Sequence, residues 1–235
     1  MKEFVDAHLG FLEKAQLSVK GRLVDASNAT LFAQAESELE SRKVIYKPEA
    51  GERPLWDFVS GSLAKREYAA FRFSYLMQDF IVPPTILRDG PYGPGMVQLW
   101  IEIDEEIDLM NYFQVDNPQL RRLALFDAVI NNTDRKIGHL LPDRQGRLFA
   151  CDHGVTFHED DKLRTVLWQW AGMSLSEAEI AWLDRAQVVA RDPMFLELLE
   201  PGEVHALIER VLRLRQELVF PSPSEEWPAV PWPPF

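Results

Sequence analysis

Residues 131–154, NNTDRKIGHLLPDRQGRLFACDHG, decide how the rest of the chain is interpreted. Their pattern predicts a polar turn, a short strand, a tight turn and a second strand that ends in Asp-His-Gly. Asp134 lies in the first turn, His139 follows it by five residues, and Asp152 ends the second strand. Two polar loops beside one hairpin can direct their side chains to a single point. The stretch therefore predicts that Asp134, His139 and Asp152 meet at one polar site.

The composition is that of an ordinary globular protein: of 235 residues, 46% are hydrophobic and 26% are charged. This length suits one large domain or two lobes that share a cleft. The formal net charge of −12 disfavours nucleic acid and anionic membranes as main partners, because both would repel the average surface. ATP stays compatible with this charge, since a nucleotide needs only a local cationic pocket and a metal ion.

Three features predict a cytoplasmic protein without a stable membrane anchor. Cys151 is the only cysteine, which excludes an intrachain disulfide and suits a reducing compartment. The N-terminal stretch MKEFVDAHLGFLEKAQ mixes acidic and apolar residues, unlike a signal peptide. No stretch approaches the ~20 apolar residues of a membrane span.

The N-terminal part predicts a helix followed by a small sheet. Residues 2–15 have amphipathic helical spacing, and residues 16–48 contain short β-type runs separated by polar turns. The first turn, DASNAT at 25–30, has side chains that bend the backbone and expose consecutive N–H groups. We predict that Ser27, Asn28 and Thr30 in this turn contact phosphate. The alternative is an ordinary hairpin turn, which explains the same residues.

Lys47 and Glu67 are a candidate ion pair. Lys47 ends the third strand beside apolar residues, so its charge needs a carboxylate or a phosphate. A strong helix pattern follows at 60–80, with Ser60 or Ser62 as its cap and Glu67 early in it. The alternatives are a lysine that extends to solvent at a strand end and an exposed helical carboxylate.

A buried strand at MVQLWIEI, residues 96–103, links the N-terminal part to a helix at 117–132. Backbone groups around Gln98 and Trp100 could meet the edge of a nucleotide base, although an interior strand without a ligand fits equally well. Beyond Asp152 we predict helical segments at 163–172, 176–190 and 201–220. The rest is a Pro/Trp-rich tail, either draped over the body or extended to bind a partner. The predicted domains are 1–103, 104–220 and the tail 221–235.

The order of these parts resembles the phosphatidylinositol 3- and 4-kinase-related family, in particular a compact bacterial kinase-like branch. The stretch DRKIGHLL is similar to the family's catalytic loop, D-R-H-x-x-N-I-L, and ACDHG is similar to its metal loop, I-D-F-G. Three N-terminal stretches also carry the resemblance: SNATLF, VIYKPEAGERPLWDF and GSLAKREYAAF. The matched stretches span nearly the whole chain apart from the C-terminal helices and tail.

The resemblance implies an α+β fold of the two-lobed protein-kinase type, with an N-terminal β-lobe and a mostly helical C-terminal lobe. It implies Lys47 at the ATP phosphates with Glu67 as its partner, and Asp134 as catalytic aspartate. Arg135 or Lys136 would steady the transferred phosphate. His139 takes the place of the family's Asn and Asp152 that of its main metal ligand, for Mg²⁺ or Mn²⁺. Because imidazole suits Mn²⁺ better than Mg²⁺, we expect Mn²⁺ to work at least as well.

Three functions remain compatible with these residues. The first is transfer of the ATP γ-phosphate to a protein Ser/Thr, to the chain itself, or to a small-molecule hydroxyl. The second is a nucleotide-binding pseudokinase, given the altered metal site, and the third is transfer of AMP. The acceptor is not indicated by any residue pattern.

Overall fold

The computed structural model describes residues 1–23 and 29–235, so the predicted phosphate contacts Ser27 and Asn28 lie outside the described part. Backbone contacts divide the chain into a first unit, Met1–Ile101, and a second unit, Glu102–Phe235. The predicted boundary at 103/104 lies close to this division. Within the described residues, no helix is long and apolar enough to cross a membrane.

The described residues of the first unit form a five-stranded antiparallel sheet of β1 (Gln16–Arg22), β2 (Leu31–Glu36), β3 (Ser41–Pro48), β4 (Thr85–Gly90) and β5 (Gly93–Leu99). The strand order is β1-β2-β3-β5-β4. The strand β4 was not predicted, because its sequence, TILRDG, is charged, ends in glycine and precedes a proline-containing turn.

Two helices accompany this sheet, α1 (Lys2–Lys14) and α2 (Leu63–Leu76). The apolar face of α1 contributes Leu12 to a core that also contains Val44 and Tyr46 of β3. Because side chains alternate along a strand, Lys47 lies on the other side of β3 from these two residues.

The helix α2 is shorter than predicted, and its N-terminus is capped by a residue outside the helix. The Glu52 carboxylate accepts hydrogen bonds from the N–H groups of Leu63 and Ala64, at 3.1 and 2.9 Å. Ser62 instead donates its hydroxyl to the carbonyl of Val59. A carboxylate suits this end of a helix because it satisfies unpaired N–H groups and complements the helix dipole.

The second unit combines helices with the predicted hairpin, β6 (Leu140–Pro142) and β7 (Leu148–Ala150). Asn117 caps the helix that leads into the first polar loop, and Pro118 is its first residue. The helices are α3 (Leu109–Tyr112), α4 (Pro118–Ile130), α5 (Glu177–Val189), α6 (Phe195–Leu198) and α7 (Pro201–Glu217).

Residues 163–172 are not helical, contrary to the prediction from their apolar spacing. Backbone groups of residues 164–166 bond instead to the loop at 132–135. Arg164 N–H donates to the Asn132 carbonyl, and Arg135 exchanges backbone hydrogen bonds with Arg164 and Val166. The tail contacts this extended segment, so the draped alternative is the one observed.

Candidate active site

The side chains of Lys47 and Glu67 form a direct ion pair in the first unit. Lys47 Nζ lies 2.5 Å from Glu67 Oε1, and the two side chains are 19% and 1% exposed, respectively. The strand β3 holds the lysine, and the first half of α2 holds the glutamate. A carboxylate this deeply buried needs a charged partner to remain ionised. The lysine keeps some exposure, so it can reach a second anion.

The other predicted nucleotide contacts of the first unit are mostly committed to the protein. Thr30 is buried, and its carbonyl accepts a hydrogen bond from Leu23 N–H. The Gln98 amide is buried and donates to the Thr85 hydroxyl. The ring of Trp100 packs edge-on against Phe32, and its backbone N–H donates to the Lys43 carbonyl. Any base contact near Gln98 and Trp100 would therefore use groups other than these donors.

The loop that carries Asp134 is fixed by the side chains that precede it. Asn132 Oδ1 accepts from Asp134 N–H at 3.0 Å, while Asn132 Nδ2 donates to the buried Asp127 carboxylate. The N–H and the hydroxyl of Thr133 both donate to the Val155 carbonyl. This polar sequence, NNTD, therefore orders its own turn and holds the backbone of Asp134 in place.

Asp134 has the electrostatic surroundings of a proton acceptor. Burial raises the pKa of its carboxyl above the usual range of Asp, and the negative charge of Asp152 raises it further. Lys136 opposes these effects, with its Nζ 3.5 Å from Asp134 Oδ2. A carboxylate with a raised pKa is a stronger base than an ordinary Asp.

Arg135 lies in the interior, although the sequence suggested it as a contact for the transferred phosphate. Its guanidinium is fully buried and makes a two-point hydrogen-bonded ion pair with the Asp127 carboxylate. A side chain held in this way is not exposed to a substrate. Lys136 keeps partial exposure beside Asp134 and is the better candidate for that role.

The same guanidinium also contacts the residues on both sides of Asp152. It donates to the Cys151 carbonyl at 2.6 Å and lies 2.7 Å from His153 Nε2. Because arginine can only donate, the His153 nitrogen must accept. Arg135 therefore ties the loop of Asp134 to the loop of Asp152. Asp127 and His153 were not predicted as parts of this network, since a buried ion pair has no characteristic spacing in the sequence.

Asp152 presents a half-exposed carboxylate from an uncommon backbone conformation. Its φ is 60°, in the left-handed region, and its side chain is 45% exposed. Asp and Asn enter this region more readily than other non-glycine residues. The conformation, held by the contacts of both neighbours with Arg135, is typical of residues constrained at a functional site.

His139 lies beside Asp152, but its hydrogen bonding differs from that of a metal ligand. Its Nδ1 accepts from Lys136 N–H at 3.3 Å, and its Nε2 lies 3.4 Å from Asp152 Oδ2. A ring nitrogen that accepts from a backbone N–H carries no hydrogen, so in the neutral ring Nε2 carries it. That nitrogen then has no lone pair for a metal. The predicted ligand is better described as a support for Asp152.

The remaining donors fit Mg²⁺ or Mn²⁺. In the part of the chain that the structure describes, no three His, Cys, Asp or Glu side chains are grouped to hold a metal by themselves. Mg²⁺ typically binds through one or two carboxylates and takes its other ligands from water and substrate phosphates. Asp152 provides such a carboxylate, with Asp134 as its acidic neighbour. The expectation that Mn²⁺ works at least as well as Mg²⁺ was based on imidazole, and these hard oxygen donors give Mn²⁺ no such advantage.

His139→Asn tests this reassignment. We expect the ratio of Mg²⁺- to Mn²⁺-supported nucleotide binding to stay unchanged, because no metal ligand is lost. The affinity for either metal should fall about tenfold, as is common when a group supporting a ligand is altered. Calorimetric titration of each metal in the presence of ADP measures both quantities. A selective gain for Mg²⁺ would instead identify the imidazole as a ligand.

Comparison with solved structures places this architecture among kinase-like folds. The structure of hydra Fam20 with sugar aligns with a TM-score of 0.58 and 13% identity, covering 91% of this chain and 88% of that chain. The Golgi casein kinase with Mn/ADP bound aligns with a TM-score of 0.56 and 12% identity, covering 93% of this chain and 76% of that one. At these identities the similarity establishes the fold, which confirms the predicted class.

A full-length relative is also found among curated proteins, although no family model matches the chain. It is Protein Rv2133c of Mycobacterium tuberculosis, strain H37Rv. The two sequences are 36% identical over an alignment 262 positions long, which covers 95% of this chain and 94% of the relative. The chain therefore belongs to the same family as Mycobacterium tuberculosis Protein Rv2133c.

Proposed function

We propose that this protein is an ATP-dependent phosphotransferase that moves the γ-phosphate of ATP to a hydroxyl group. The acceptor is a Ser or Thr of a protein, this chain included, or a small-molecule alcohol. The kinase-like fold supports the general activity. The similarity of DRKIGHLL and ACDHG to the catalytic and metal loops of phosphatidylinositol 3- and 4-kinase-related proteins supports γ-phosphate transfer of the type that those kinases perform.

The observation that carries the proposal is the ion pair between Lys47 and Glu67. Burying a carboxylate is costly, and a buried ion pair adds little stability compared with apolar residues of similar size. A pair on a strand and the adjacent helix is the arrangement by which kinases direct a lysine at nucleotide phosphates. Function therefore explains this pair better than stability does.

In this proposal each polar group has one task. Lys47 holds ATP phosphate oxygens, with its direction fixed by Glu67. Asp134 orients the acceptor hydroxyl and accepts its proton as the new bond to phosphorus forms and the bond to ADP breaks. Lys136 steadies the transferred phosphoryl group. A metal ion held by Asp152 would neutralise phosphate charge when bound.

Lys47→Ala should reduce ATP affinity by about tenfold to 100-fold, because a charge-assisted hydrogen bond contributes about 1.5–3 kcal/mol. Without Lys47, Glu67 would be a buried carboxylate lacking its lysine partner, so the melting temperature should also fall. Isothermal calorimetry with ATP and thermal denaturation of the nucleotide-free protein measure the two effects.

The double variant Lys47→Ala/Glu67→Gln separates the role of the lysine from its effect on folding. The neutral amide removes the uncompensated charge, so much of the lost stability should return. ATP affinity should stay as low as in Lys47→Ala. Restored affinity in the double variant, or unchanged affinity in both, would reject Lys47 as a phosphate contact.

A further inference from the structure

The C-terminal tail makes specific backbone contacts with the extended segment that replaced the predicted helix at 163–172. The Ala229 carbonyl accepts two hydrogen bonds, from Thr165 N–H at 3.0 Å and from the Trp168 indole N–H at 2.9 Å. The ring of Trp227 is covered by the cationic ends of Lys162 and Arg164, which lie 5.3 and 5.4 Å from its centroid. The contacts therefore combine directed hydrogen bonds with cation–π interactions.

The end of the same tail reaches the loop of Asp134 directly. Ile137 N–H donates to the Pro234 carbonyl at 2.9 Å. The Phe235 ring lies beside Gly138, where an added Cβ would meet it at 3.8 Å. Ile137 and Gly138 stand between Asp134 and His139, so the tail contacts the stretch that connects these two side chains.

The segment contacted by the tail is itself bonded to the loop of Asp134. Thr165 forms a parallel bridge with Arg135, and Val166 N–H donates to the Arg135 carbonyl. Hydrogen bonds thus run from Ala229 to Thr165 and on to Arg135, while Pro234 bonds to Ile137 without an intermediate. The tail is connected to the proposed catalytic loop by two routes.

The amino-acid composition of the tail suits it to accept hydrogen bonds from the backbone N–H groups of a loop. Residues 221–235 contain six prolines, each of which has a carbonyl acceptor and no backbone N–H donor. An irregular loop has backbone N–H groups that lack partners within a helix or sheet. A proline-rich segment offers acceptors to such groups, and it loses little entropy on docking because its φ angles are already restricted.

We propose that residues 227–235 are a positioning segment that holds the proposed catalytic loop in its working conformation. The expected effect on turnover rests on the proposed phosphotransferase function, whereas the docking of the tail on the loop does not depend on that function. The tail touches the loop through Ile137 and Gly138, and it positions Asp134 through their backbone. It is not itself assigned a contact with substrate.

A chain that ends at Glu226 tests the proposal. Amide hydrogen exchange, followed residue by residue with NMR, should be about tenfold faster at Ile137 and Thr165, since each of these amides loses its hydrogen bond to the tail. ATP turnover should show kcat reduced about tenfold or more with KM for ATP nearly unchanged. A synthetic peptide of residues 227–235 should restore both protection and kcat in a saturable manner.

Two point variants keep the test valid if the shortened chain does not fold. Trp168→Phe removes the indole donor to the Ala229 carbonyl, and exchange at Thr165 and Ile137 should rise several-fold. Trp170→Phe removes a comparable indole hydrogen bond, to Asp116, and should leave both amides as they were. Equal effects of the two variants on these amides would overturn the inference.

The outcomes separate this inference from the proposed function. Faster exchange at Ile137 in the shortened chain, with no ATP turnover by either protein, would support tail docking and reject the phosphotransferase. Unchanged exchange at Ile137, or turnover that is unaffected by removal of the tail, would overturn the positioning role.

Discussion

Asp152→Asn should reduce ATP turnover by about 1000-fold while leaving the protein folded. A metal ion at transferring phosphate contributes several kcal/mol of charge stabilisation, and each 1.36 kcal/mol corresponds to a factor of ten in rate. The amide keeps the size of the side chain but lowers the affinity for the metal. Asn also tolerates the left-handed backbone found at this position, where φ is 60°. The effect on rate is therefore separated from backbone strain.

The measurement is the steady-state release of ADP at saturating Mg²⁺-ATP, with thermal denaturation of the same preparations. Asp160→Asn is a matched control, because Asp160 is another acidic loop residue of the second unit and its side chain is 74% exposed. The control should retain nearly full turnover. Equal turnover by Asp152→Asn and the control would remove Asp152 from the proposed metal site.

Asp134→Asn should change rate and stability in opposite directions. Loss of a general base typically lowers the rate by about 10²–10⁴-fold. The folded-state pKa of Asp134 is raised by burial, so folding favours its protonated form. At neutral pH the ionised carboxylate therefore destabilises the folded protein. Replacing it with a neutral amide removes that penalty, and the melting temperature at pH 7 should increase.

The raised pKa of Asp134 also makes the stability of the folded protein depend on pH. Between the ordinary pKa of Asp and the raised folded-state value, the folded protein binds more protons than the unfolded chain, so stability falls as pH rises through this interval. The stabilisation by Asp134→Asn should shrink as pH is lowered toward the ordinary Asp range. Thermal denaturation of both proteins from pH 7 to pH 4 measures this difference. If Asp134→Asn were less stable than the wild type at pH 7, this would contradict the claim that burial makes the ionised Asp134 carboxylate unfavourable.

The sequence was informative where side-chain pattern and backbone geometry are linked. Strand alternation in VIYKPE and helical spacing after residue 60 placed Lys47 on a strand and Glu67 on a helix. The family resemblance implied that the two side chains pair, and the structure joins them at 2.5 Å. The hairpin between Asp134 and Asp152 also followed from short apolar runs around a polar turn. The strand, the helix and the hairpin depend on local periodicity, which one sequence contains.

The features that could not be predicted depend on partners distant in the chain. Helical spacing at 163–172 was overridden because Arg164 and Val166 bond to the loop at 132–135. Arg135 looked like a phosphate contact from its place next to Asp134, but its partner Asp127 buries it. Glu52 caps α2 from outside the helix, where no capping pattern in the sequence would find it. His139 is a different case, because the hydrogen bond that sets its tautomer is local: its Nδ1 accepts from the N–H of Lys136, only three residues before it.

Transfer of radiolabel from ATP tests the central claim most directly. The purified chain is incubated with Mg²⁺ and either γ-³²P-ATP or α-³²P-ATP, with and without a lysate that supplies acceptors, beside Asp152→Asn as a blank. We expect label to be transferred from γ-³²P-ATP only, and to depend on Asp152. Transfer from α-³²P-ATP would instead identify AMP transfer, and no transfer from either nucleotide despite tight ATP binding would identify a pseudokinase; both results contradict the proposed phosphotransferase.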